Sequence, residues 1–169
     1  MIEDYRANMF KVLEYTPTGK EQWAIHNSDA RIKLVAGGER GGKSFTGAKE
    51  AVLAAPLSEL VWIVGPEFDI ARTEFEYCLN DFNKQGMVAD VSFPKQGPCS
   101  FRLKGTKELK GCEIVTKSAK EPQKLGMEAP DFILGCEAAQ MEYEAYLRLR
   151  GRVAEKRGKM VLSGTFEGS

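Results

Sequence analysis

The sequence predicts an α/β fold, in which a mostly parallel central sheet is flanked by helices. Three observations support this prediction. Short β-rich segments alternate along the chain with longer segments of helical periodicity. Two of the short segments, 60–64 and 131–136, are almost continuously apolar, as expected of strands buried on both faces of a parallel sheet. A glycine-rich loop, residues 37–42, connects one predicted strand to the helix that follows it.

The first part of the chain predicts three helices and one strand. Residues 5–15 place apolar side chains on one helical face, and a Thr-Pro-Thr-Gly segment ends that helix. Residues 20–27 predict a second, short helix, and the β-rich residues 31–36 predict a strand that ends before the glycines. Residues 43–55 are good helix formers and are followed by Pro56, which closes the third helix.

The rest of the chain continues the alternation. Gly65-Pro66 ends the strand at 60–64, and the amphipathic pattern of 68–83 predicts a helix. Two β-like segments, 99–104 and 112–116, are joined by a turn rich in glycine and lysine and predict a β-hairpin near 99–116. A buried strand, a helix and a last strand are predicted at 131–136, 142–157 and 159–164.

The composition is typical of a soluble globular protein. The 169 residues include 24 Lys+Arg and 24 Asp+Glu, so the formal net charge is zero and the pI is near 6.6. This balance excludes a histone-like basic binder and an acidic tail, although local charged patches remain open. No apolar run approaches the roughly 18 residues that a membrane span needs, and no signal-peptide pattern is present. We therefore expect a single-domain cytosolic protein with no membrane partner.

The cysteines and the single histidine form no recognisable reactive motif. Cys78, Cys99, Cys112 and Cys136 lack the close spacing of a zinc or redox motif, so we predict buried, reduced thiols. His26 has no G-x-S-x-G nucleophile elbow to serve, and we predict that it lies on the surface. Acid–base chemistry is therefore expected from carboxylates or lysines.

Residues 37–44 carry the strongest functional signal. Gly-Gly-Glu-Arg-Gly-Gly-Lys-Ser matches the G-x-x-x-x-G-K-[ST] phosphate-binding loop in full. Its glycines allow backbone N–H groups to point at phosphates, and the following helix adds the positive end of its dipole. Lys43 is expected to contact the β- and γ-phosphates, and Ser44 to offer its hydroxyl to Mg²⁺. We predict a P-loop NTPase fold of the ASCE (RecA-like) type that binds ATP and Mg²⁺ through Gly37, Gly38, Glu39, Arg40, Gly41, Gly42, Lys43, Ser44 and Phe45.

A catalytic carboxylate is predicted at the end of the apolar segment 132–137. P-loop ATPases need a second strand that delivers a carboxylate to the metal side and to the attacking water. Glu137 follows this segment, at the sheet edge where ligands bind, and is expected to reach the metal through water. The usual Asp-Glu pair is here Cys136-Glu137, so the metal is expected to rest on Ser44, phosphates and water. Asp131 lies at the opposite end of the strand and cannot substitute, and a solvent-facing Glu137 that opens a loop stays the alternative.

Several segments together resemble the ATPase domain of the large terminase subunit, the motor that packages DNA into tailed-phage capsids. Thr16-Pro17 and Gln22-Trp23 resemble the adenine-recognition motif of that family, and Arg40 within the phosphate loop is typical of terminases. The segment 133–141 is similar to the terminase Walker B segment, and Ser163-Gly164-Thr165 is similar to the coupling motif. Residues 63–77 are similar to the segment after the second strand, so the resemblance extends over about residues 14–168.

The resemblance implies a role for each matching residue. Gln22 would read the adenine edge, Arg40 would contact the γ-phosphate or sense its loss, and Glu137 would activate water. Thr165, with Ser163 and Gly164, would sense hydrolysis and relay it. An arginine from a neighbouring subunit often completes such sites, and the candidates are Arg148, Arg150 and Arg152. A solvated basic helix face is the alternative for these arginines.

The same resemblance implies partners and a cellular place. The partners would be double-stranded DNA, other copies of the chain in a ring of five, a portal protein and a small terminase subunit, in the cytoplasm of an infected bacterium. Two departures from the family pattern stand out. Cys136 replaces the expected aspartate, and the chain ends just past the coupling motif, where terminases continue into a nuclease domain. We therefore expect one ATPase domain over 1–169, truncated after that motif, without nuclease activity.

Opposed charges in two neighbouring segments suggest a DNA contact. Residues 95–124 hold eight Lys/Arg and three acids, a local excess of five positive charges, whereas 66–83 hold five acids and one arginine. This polarity favours contact with a DNA backbone through Arg102, Lys104, Lys107 and Lys110. Protection of an edge strand by lysine explains the same charges and stays open. Two other functions also stay open: a P-loop phosphotransferase, and a nucleotide-binding module that does not hydrolyse ATP or move DNA.

Overall fold

The described part of the chain folds around one seven-stranded sheet. The structure, a computed structural model, describes residues 2–38, 42–106 and 111–165. Its strands are β1 (Ile32–Ala36), β2 (Leu60–Gly65), β3 (Val88–Ser92), β4 (Ser100–Leu103), β5 (Glu113–Ser118), β6 (Phe132–Gly135) and β7 (Lys159–Gly164). They are ordered β1-β7-β6-β2-β5-β4-β3, and the first five in this order run parallel to their neighbours. The predicted α/β fold with a mostly parallel sheet is therefore confirmed.

Within the described residues, five α-helices flank this sheet. They are α1 (Ile2–Val12), α2 (Lys20–Asn27), α3 (Lys43–Ala54), α4 (Phe68–Lys84) and α5 (Tyr143–Glu155), each where the sequence predicts a helix. α1 ends earlier than predicted because Glu14 adopts a positive φ of 49° and the Tyr15 N–H turns back to the Phe10 carbonyl at 2.9 Å. No helix within the described ranges is long and apolar enough to span a bilayer.

Burial on both faces explains the continuous apolar run of β2. Val61 and Ile63 are fully buried beneath α3 and α4, in a core that includes Val52 and Phe75. The alternate residues Trp62 and Val64 point to the opposite face, where α5 contributes Ala145, Leu149 and Val153 to a second core. The sheet is thus the middle of three layers, as predicted for a parallel sheet whose strands are apolar on both sides.

The predicted hairpin is present, and it carries one strand that the sequence pattern did not predict. β4 and β5 pair antiparallel, with Phe101 opposite Ile114. The additional strand β3 pairs antiparallel with β4 and forms the edge of the sheet. Four of its five residues are exposed, so it has neither a long apolar run nor a regular alternation of buried residues.

Strand order brings three candidate functional segments together at the carboxyl ends of neighbouring strands. β7 lies between β1 and β6, with Gly164 opposite Ala36 and Leu162 opposite Gly135. All three strands run parallel, so their carboxyl ends meet. The phosphate loop after β1, the Ser163-Gly164-Thr165 segment at the end of β7 and Glu137 after β6 are therefore neighbours.

Candidate nucleotide-binding and hydrolysis site

The phosphate loop leads directly into α3. Gly42 precedes the first helical residue and adopts a left-handed conformation, with φ of 73°. A Cβ at this position would lie 3.3 Å from the side-chain nitrogen of Gln22, so glycine suits both the conformation and the space. The Gly42 carbonyl accepts hydrogen bonds from the N–H and the hydroxyl of Thr46, each at 2.9 Å. The predicted strand-loop-helix context of the motif is thus present, while Glu39, Arg40 and Gly41 lie outside the described residues.

Lys43 lies over its own loop. Its ammonium donates a hydrogen bond to the Gly38 carbonyl at 2.6 Å, and only 9% of its surface is exposed. Ser44, the next residue, is half-buried in the first turn of α3. A buried lysine and a hydroxyl at a helix N-terminus form the arrangement that a polyphosphate with a hydrated cation requires.

Of the predicted adenine-recognition residues, Gln22 lies beside this loop. Gln22 on α2 accepts hydrogen bonds through Oε1 from the Thr18 N–H at 2.8 Å and the Thr18 hydroxyl at 3.3 Å. These bonds direct the other end of its amide toward Gly42. Thr16, Pro17 and Trp23 line a surface cavity of about 420 Å³ next to α1.

Phe45 is partly exposed at the start of α3 and belongs to an aromatic cluster. Its ring meets the Tyr15 and Tyr77 rings edge to face, with centroids 5.7 and 5.5 Å away. The Lys49 ammonium lies 4.7 Å from the Phe45 ring centroid. The structure thus places Phe45, like Gln22, next to the loop.

Glu137 occupies a strained position at the end of β6. Its φ and ψ are 47° and 48°, a left-handed conformation that is uncommon for a residue with a side chain. Its carboxylate accepts a hydrogen bond from the Thr165 N–H, with Oε2 and N separated by 3.4 Å. The structure therefore brings the candidate catalytic carboxylate into contact with the candidate coupling motif.

The other candidate coupling residues anchor β7 to both of its neighbours. Ser163 is 2% exposed and donates its hydroxyl to the Gly135 carbonyl at 3.3 Å. Gly164 is opposite Ala36, the last residue of β1. Displacement at the end of β7 would therefore affect the strand before the phosphate loop and the strand before Glu137.

Cys136 and Glu74 form a pair that the sequence pattern did not identify. The Cys136 side chain is fully buried, and its thiol donates a hydrogen bond to the Glu74 carboxylate from α4. Glu74 is 3% exposed and also accepts a hydrogen bond from the Ser44 hydroxyl. Burial raises the pKa of Glu74 above its usual range, while the two hydrogen bonds offset part of that rise. Burial, together with the neighbouring Glu74, raises the pKa of the Cys136 thiol well above its ordinary value.

The donor set around Ser44 suits Mg²⁺. Hydroxyl and carboxylate oxygens are the ligands that this ion prefers, and it commonly uses one or two of them together with water and substrate phosphates. Ser44 and Glu74 supply one of each, and the neutral Cys136 thiol supplies none. Within the described ranges, no group of three or more His, Cys, Asp or Glu side chains could by itself hold a metal ion. Asp131 is at the far end of β6, as predicted, and accepts the N–H groups of Glu59 and Leu60.

The prediction that His26 lies on the surface is wrong. His26 is fully buried: its Nε2 lies 2.9 Å from the Tyr15 hydroxyl, and its Nδ1 lies 2.6 Å from the Glu50 carboxylate. Lys33 on β1 completes the network, with its ammonium 2.6 Å from the other Glu50 oxygen. These four polar residues come from four different segments of the chain, so no local pattern indicates the network. The prediction for the four cysteines is confirmed, since all are free and buried.

The remaining candidates within the described residues lie on α5 and at β4. Arg148 and Arg152 pair with Glu144 and Glu155 on the exposed side of α5, and Arg150 lies over the Tyr146 ring. Arg102 on β4 pairs with Glu113, and Lys104 donates to the Gly86 carbonyl at 2.7 Å. Lys107 and Lys110, the other candidate DNA contacts, lie outside the described residues.

Comparison with known proteins identifies the fold. The sequence matches no protein-family model and no curated protein. Among solved structures, the chain is similar to the large terminase ATPase domain of Thermus phage P74-26, with a TM-score of 0.78 and 23% identity over 96% of this chain and 70% of that one. It is also similar to the large terminase of a thermophilic bacteriophage in complex with ADP, with a TM-score of 0.67 and 12% identity over 88% of this chain and 39% of that one. The same terminase in complex with ATP-gamma-S gives a TM-score of 0.65 and 14% identity over 88% of this chain and 38% of that one. The fold implied by the resemblance is thus confirmed: the chain has the fold of large terminase ATPase domains.

Proposed function

We propose that this chain is a motor ATPase domain that couples ATP hydrolysis to the movement of double-stranded DNA into a viral procapsid. The contact between Glu137 and the Thr165 N–H carries the proposal. Through this contact, the Glu137 carboxylate, which would act on water, is connected to the end of β7. The end of β7 in turn neighbours the phosphate loop. A site built only to bind nucleotide has no need of this contact.

The chain's own groups support each part of the reaction. Lys43 and the N-terminus of α3 would attract the phosphates, and the ammonium would exchange the Gly38 carbonyl for phosphate oxygens. Bound Mg²⁺ would neutralise charge on the β- and γ-phosphates. Glu137 would accept hydrogen bonds from the attacking water and orient it, because its carboxylate lies at the edge where the loop and β6 meet. Gln22, held by Thr18, would fix the base.

Coupling would run through β7. The Thr165 N–H donates to the Glu137 carboxylate, so a change in the hydrogen bonds of Glu137 between the ATP and ADP states would also change this contact. Because β7 pairs with both β1 and β6, that change would reach the loop and the catalytic strand together. We propose further that copies of the chain form a ring on DNA, with a portal protein and a small terminase subunit as partners. Arg148, Arg150 or Arg152 would then reach the site of the adjacent copy.

ATP turnover tests this proposal. We expect the wild-type protein to hydrolyse ATP faster with double-stranded DNA than without it. Replacement Glu137→Ala should leave nucleotide binding within about twofold but lower turnover by about a hundredfold or more, because a positioned acid or base contributes a factor of about 10²–10⁴. Glu59→Ala is the matched control, since Glu59 is exposed and lies at the opposite end of the strands. Normal turnover by Glu137→Ala would rule out this assignment of the carboxylate.

A second function is favoured by one observation. Cys136 is a buried thiol where the resemblance places a metal-binding aspartate, and this suits a module that binds nucleotide without hydrolysing it. Such a module would bind ATP with an affinity that DNA does not change. ATP turnover by the wild-type protein that is lost in Glu137→Ala would exclude this second function.

A further inference from the structure

Glu74 is a buried carboxylate whose position the phosphate-loop chemistry does not explain. It lies on the inner side of α4, beside the buried Ala71, Phe75 and Cys78. Its carboxylate contacts Ser44, the residue that would offer its hydroxyl to Mg²⁺, and Cys136, where the resemblance places an aspartate. One side chain thus links the two halves of the expected metal site.

The charge around Glu74 favours a cation. No lysine or arginine among the described residues forms an ion pair with it, whereas Glu137 is close enough to add negative charge. The buried Lys49 and Lys33 are already paired with Asp81 and Glu50. A buried carboxylate without a cationic partner is unfavourable, so the site gains from a divalent ion held between this group and phosphates.

Cys136 cannot fill this role. Its thiol is fully buried and donates its hydrogen to Glu74, and sulfur is a poor ligand for Mg²⁺, which prefers oxygen. It also lies on the same side of the sheet as α3 and α4, next to the place that Glu74 occupies. A carboxylate delivered by α4 can therefore reach the region that an aspartate at 136 would occupy.

We infer that Glu74 supplies, from α4, the metal-side carboxylate that β6 lacks, and that it acts with Ser44 on the Mg²⁺ of bound nucleotide, directly or through water. This inference rests on the proposed function, because it requires the phosphate loop to bind a magnesium–nucleotide complex. It assigns the carboxylates separate tasks: Glu74 serves the metal, and Glu137 serves the attacking water.

Nucleotide binding measured with and without Mg²⁺ tests this assignment independently of turnover. The probe is a fluorescent, non-hydrolysable ATP analogue, titrated in excess Mg²⁺ and in excess chelator. In the wild-type protein, Mg²⁺ should tighten binding. In Glu74→Gln that enhancement should fall by about tenfold or more, the loss typical when a group that supports a metal is removed. In chelator Glu74→Gln should bind as tightly as wild type or tighter, since one negative charge near the phosphates is gone.

Two further variants separate metal binding from structural damage. Glu76→Gln removes an exposed carboxylate from the same helix and should leave both affinities unchanged. Adding Cys136→Asp to Glu74→Gln places a carboxylate where the thiol now meets Glu74, and should restore the Mg²⁺ enhancement. A purely structural role for Glu74 predicts weaker binding in both conditions and no rescue.

The outcomes distinguish this inference from the proposed function. If wild type binds the analogue in neither condition, both fail. If wild type responds to Mg²⁺ and Glu74→Gln responds equally, the inference alone is overturned. If Glu74→Gln does not fold, Glu74→Asp replaces it: this variant keeps the charge but withdraws the carboxylate by one methylene. Its Mg²⁺ enhancement should fall below that of wild type, and an unchanged response overturns the inference.

Discussion

Glu50 on α3 joins α2 and β1 through a buried network. Its carboxylate oxygens lie 2.6 Å from His26 on α2 and 2.6 Å from Lys33 on β1. Burial would raise the pKa of Glu50, but the His26 hydrogen bond and the Lys33 charge outweigh it, so the pKa is lowered overall. A lowered pKa in the folded state means that Glu50 stabilises the protein above the unfolded pKa of about 4.3, and that this contribution is lost as the pH falls through the folded value.

We therefore expect Glu50→Gln to lower the free energy of unfolding at pH 7 by about 3–5 kcal/mol, because it leaves the Lys33 ammonium buried without its counter-charge. The difference from wild type should shrink as the pH falls through the lowered pKa of Glu50, because the wild-type carboxylate is then itself protonated. Urea unfolding at pH 7 and at a series of falling acidic pH values measures this. Glu155→Gln, which removes an exposed partner of Arg152, should cost less than about 1 kcal/mol. An equal loss of unfolding free energy in both variants would contradict the claim that burial makes the Glu50 ion pair more stabilising than the exposed one.

Single site residues could be predicted where the residues that act together are adjacent in the sequence. The phosphate loop fits within eight consecutive residues, so its spacing alone indicated Lys43 and Ser44. Glu74 and His26 depend on partners supplied by other elements. On an amphipathic helix such as α4, a buried glutamate looks like its exposed neighbours, because only the packing of α4 against Ser44 and Cys136 distinguishes it.

The packing of α3 on β6 positions the helix in which the phosphate loop ends. Gly47 faces β6 so closely that a Cβ there would lie 2.8 Å from a methyl carbon of Leu134, which is itself fully buried. A Cβ added at Gly151 in α5 would have no neighbouring atom within 4 Å. An alanine side chain therefore has room at position 151 but would clash at position 47, although both glycines are interior helix positions.

We expect Gly47→Ala to destabilise the protein by about 1–3 kcal/mol, the usual cost of overpacking a core. It should also weaken nucleotide binding, because α3 carries Lys43 and Ser44 one turn earlier. Gly151→Ala should instead stabilise by about 0.5–1 kcal/mol through the higher helix propensity of alanine. Thermal unfolding and nucleotide titration of both variants check this, and stabilisation by Gly47→Ala would show that Leu134 moves aside freely.

Elements were predictable where burial imposes a regular period. The helices and the apolar strands β2 and β6 follow from 3.6-residue periodicity and from continuous apolar runs. β3 escaped prediction because an exposed edge strand is held by its backbone bonds to β4 rather than by a buried face. Likewise, strand order came from tertiary pairing: nothing local in the sequence places β7 between β1 and β6.

At the scale of the molecule, the zero net charge conceals opposed patches that folding partly neutralises. Three lysines of the basic segment 95–124 form ion pairs with acidic side chains. Two of the acids lie outside the segment, in the pairs Lys117–Glu128 and Lys120–Glu67, and one lies within it, in the pair Lys124–Glu121. Counting charges along the sequence could not anticipate these pairs. Arg102 and Lys104 are also not on the sheet edge, because β3 covers β4. Protection of an edge strand is therefore a weaker explanation for them than the sequence alone suggested.

We expect the double variant Arg102→Ala/Lys104→Ala to bind double-stranded DNA more weakly. If each side chain contacts one phosphate, the slope of log affinity against log salt should become shallower by about 2. Nucleotide affinity should not change, since four strands lie between β4 and β1 in the sheet and β4 is next to the opposite edge strand. Lys156→Ala/Lys159→Ala removes the same charge near the start of β7 and should leave the slope unaltered. Equal slopes for wild type and the hairpin variant would exclude this surface as the DNA contact and direct the search to the arginines of α5.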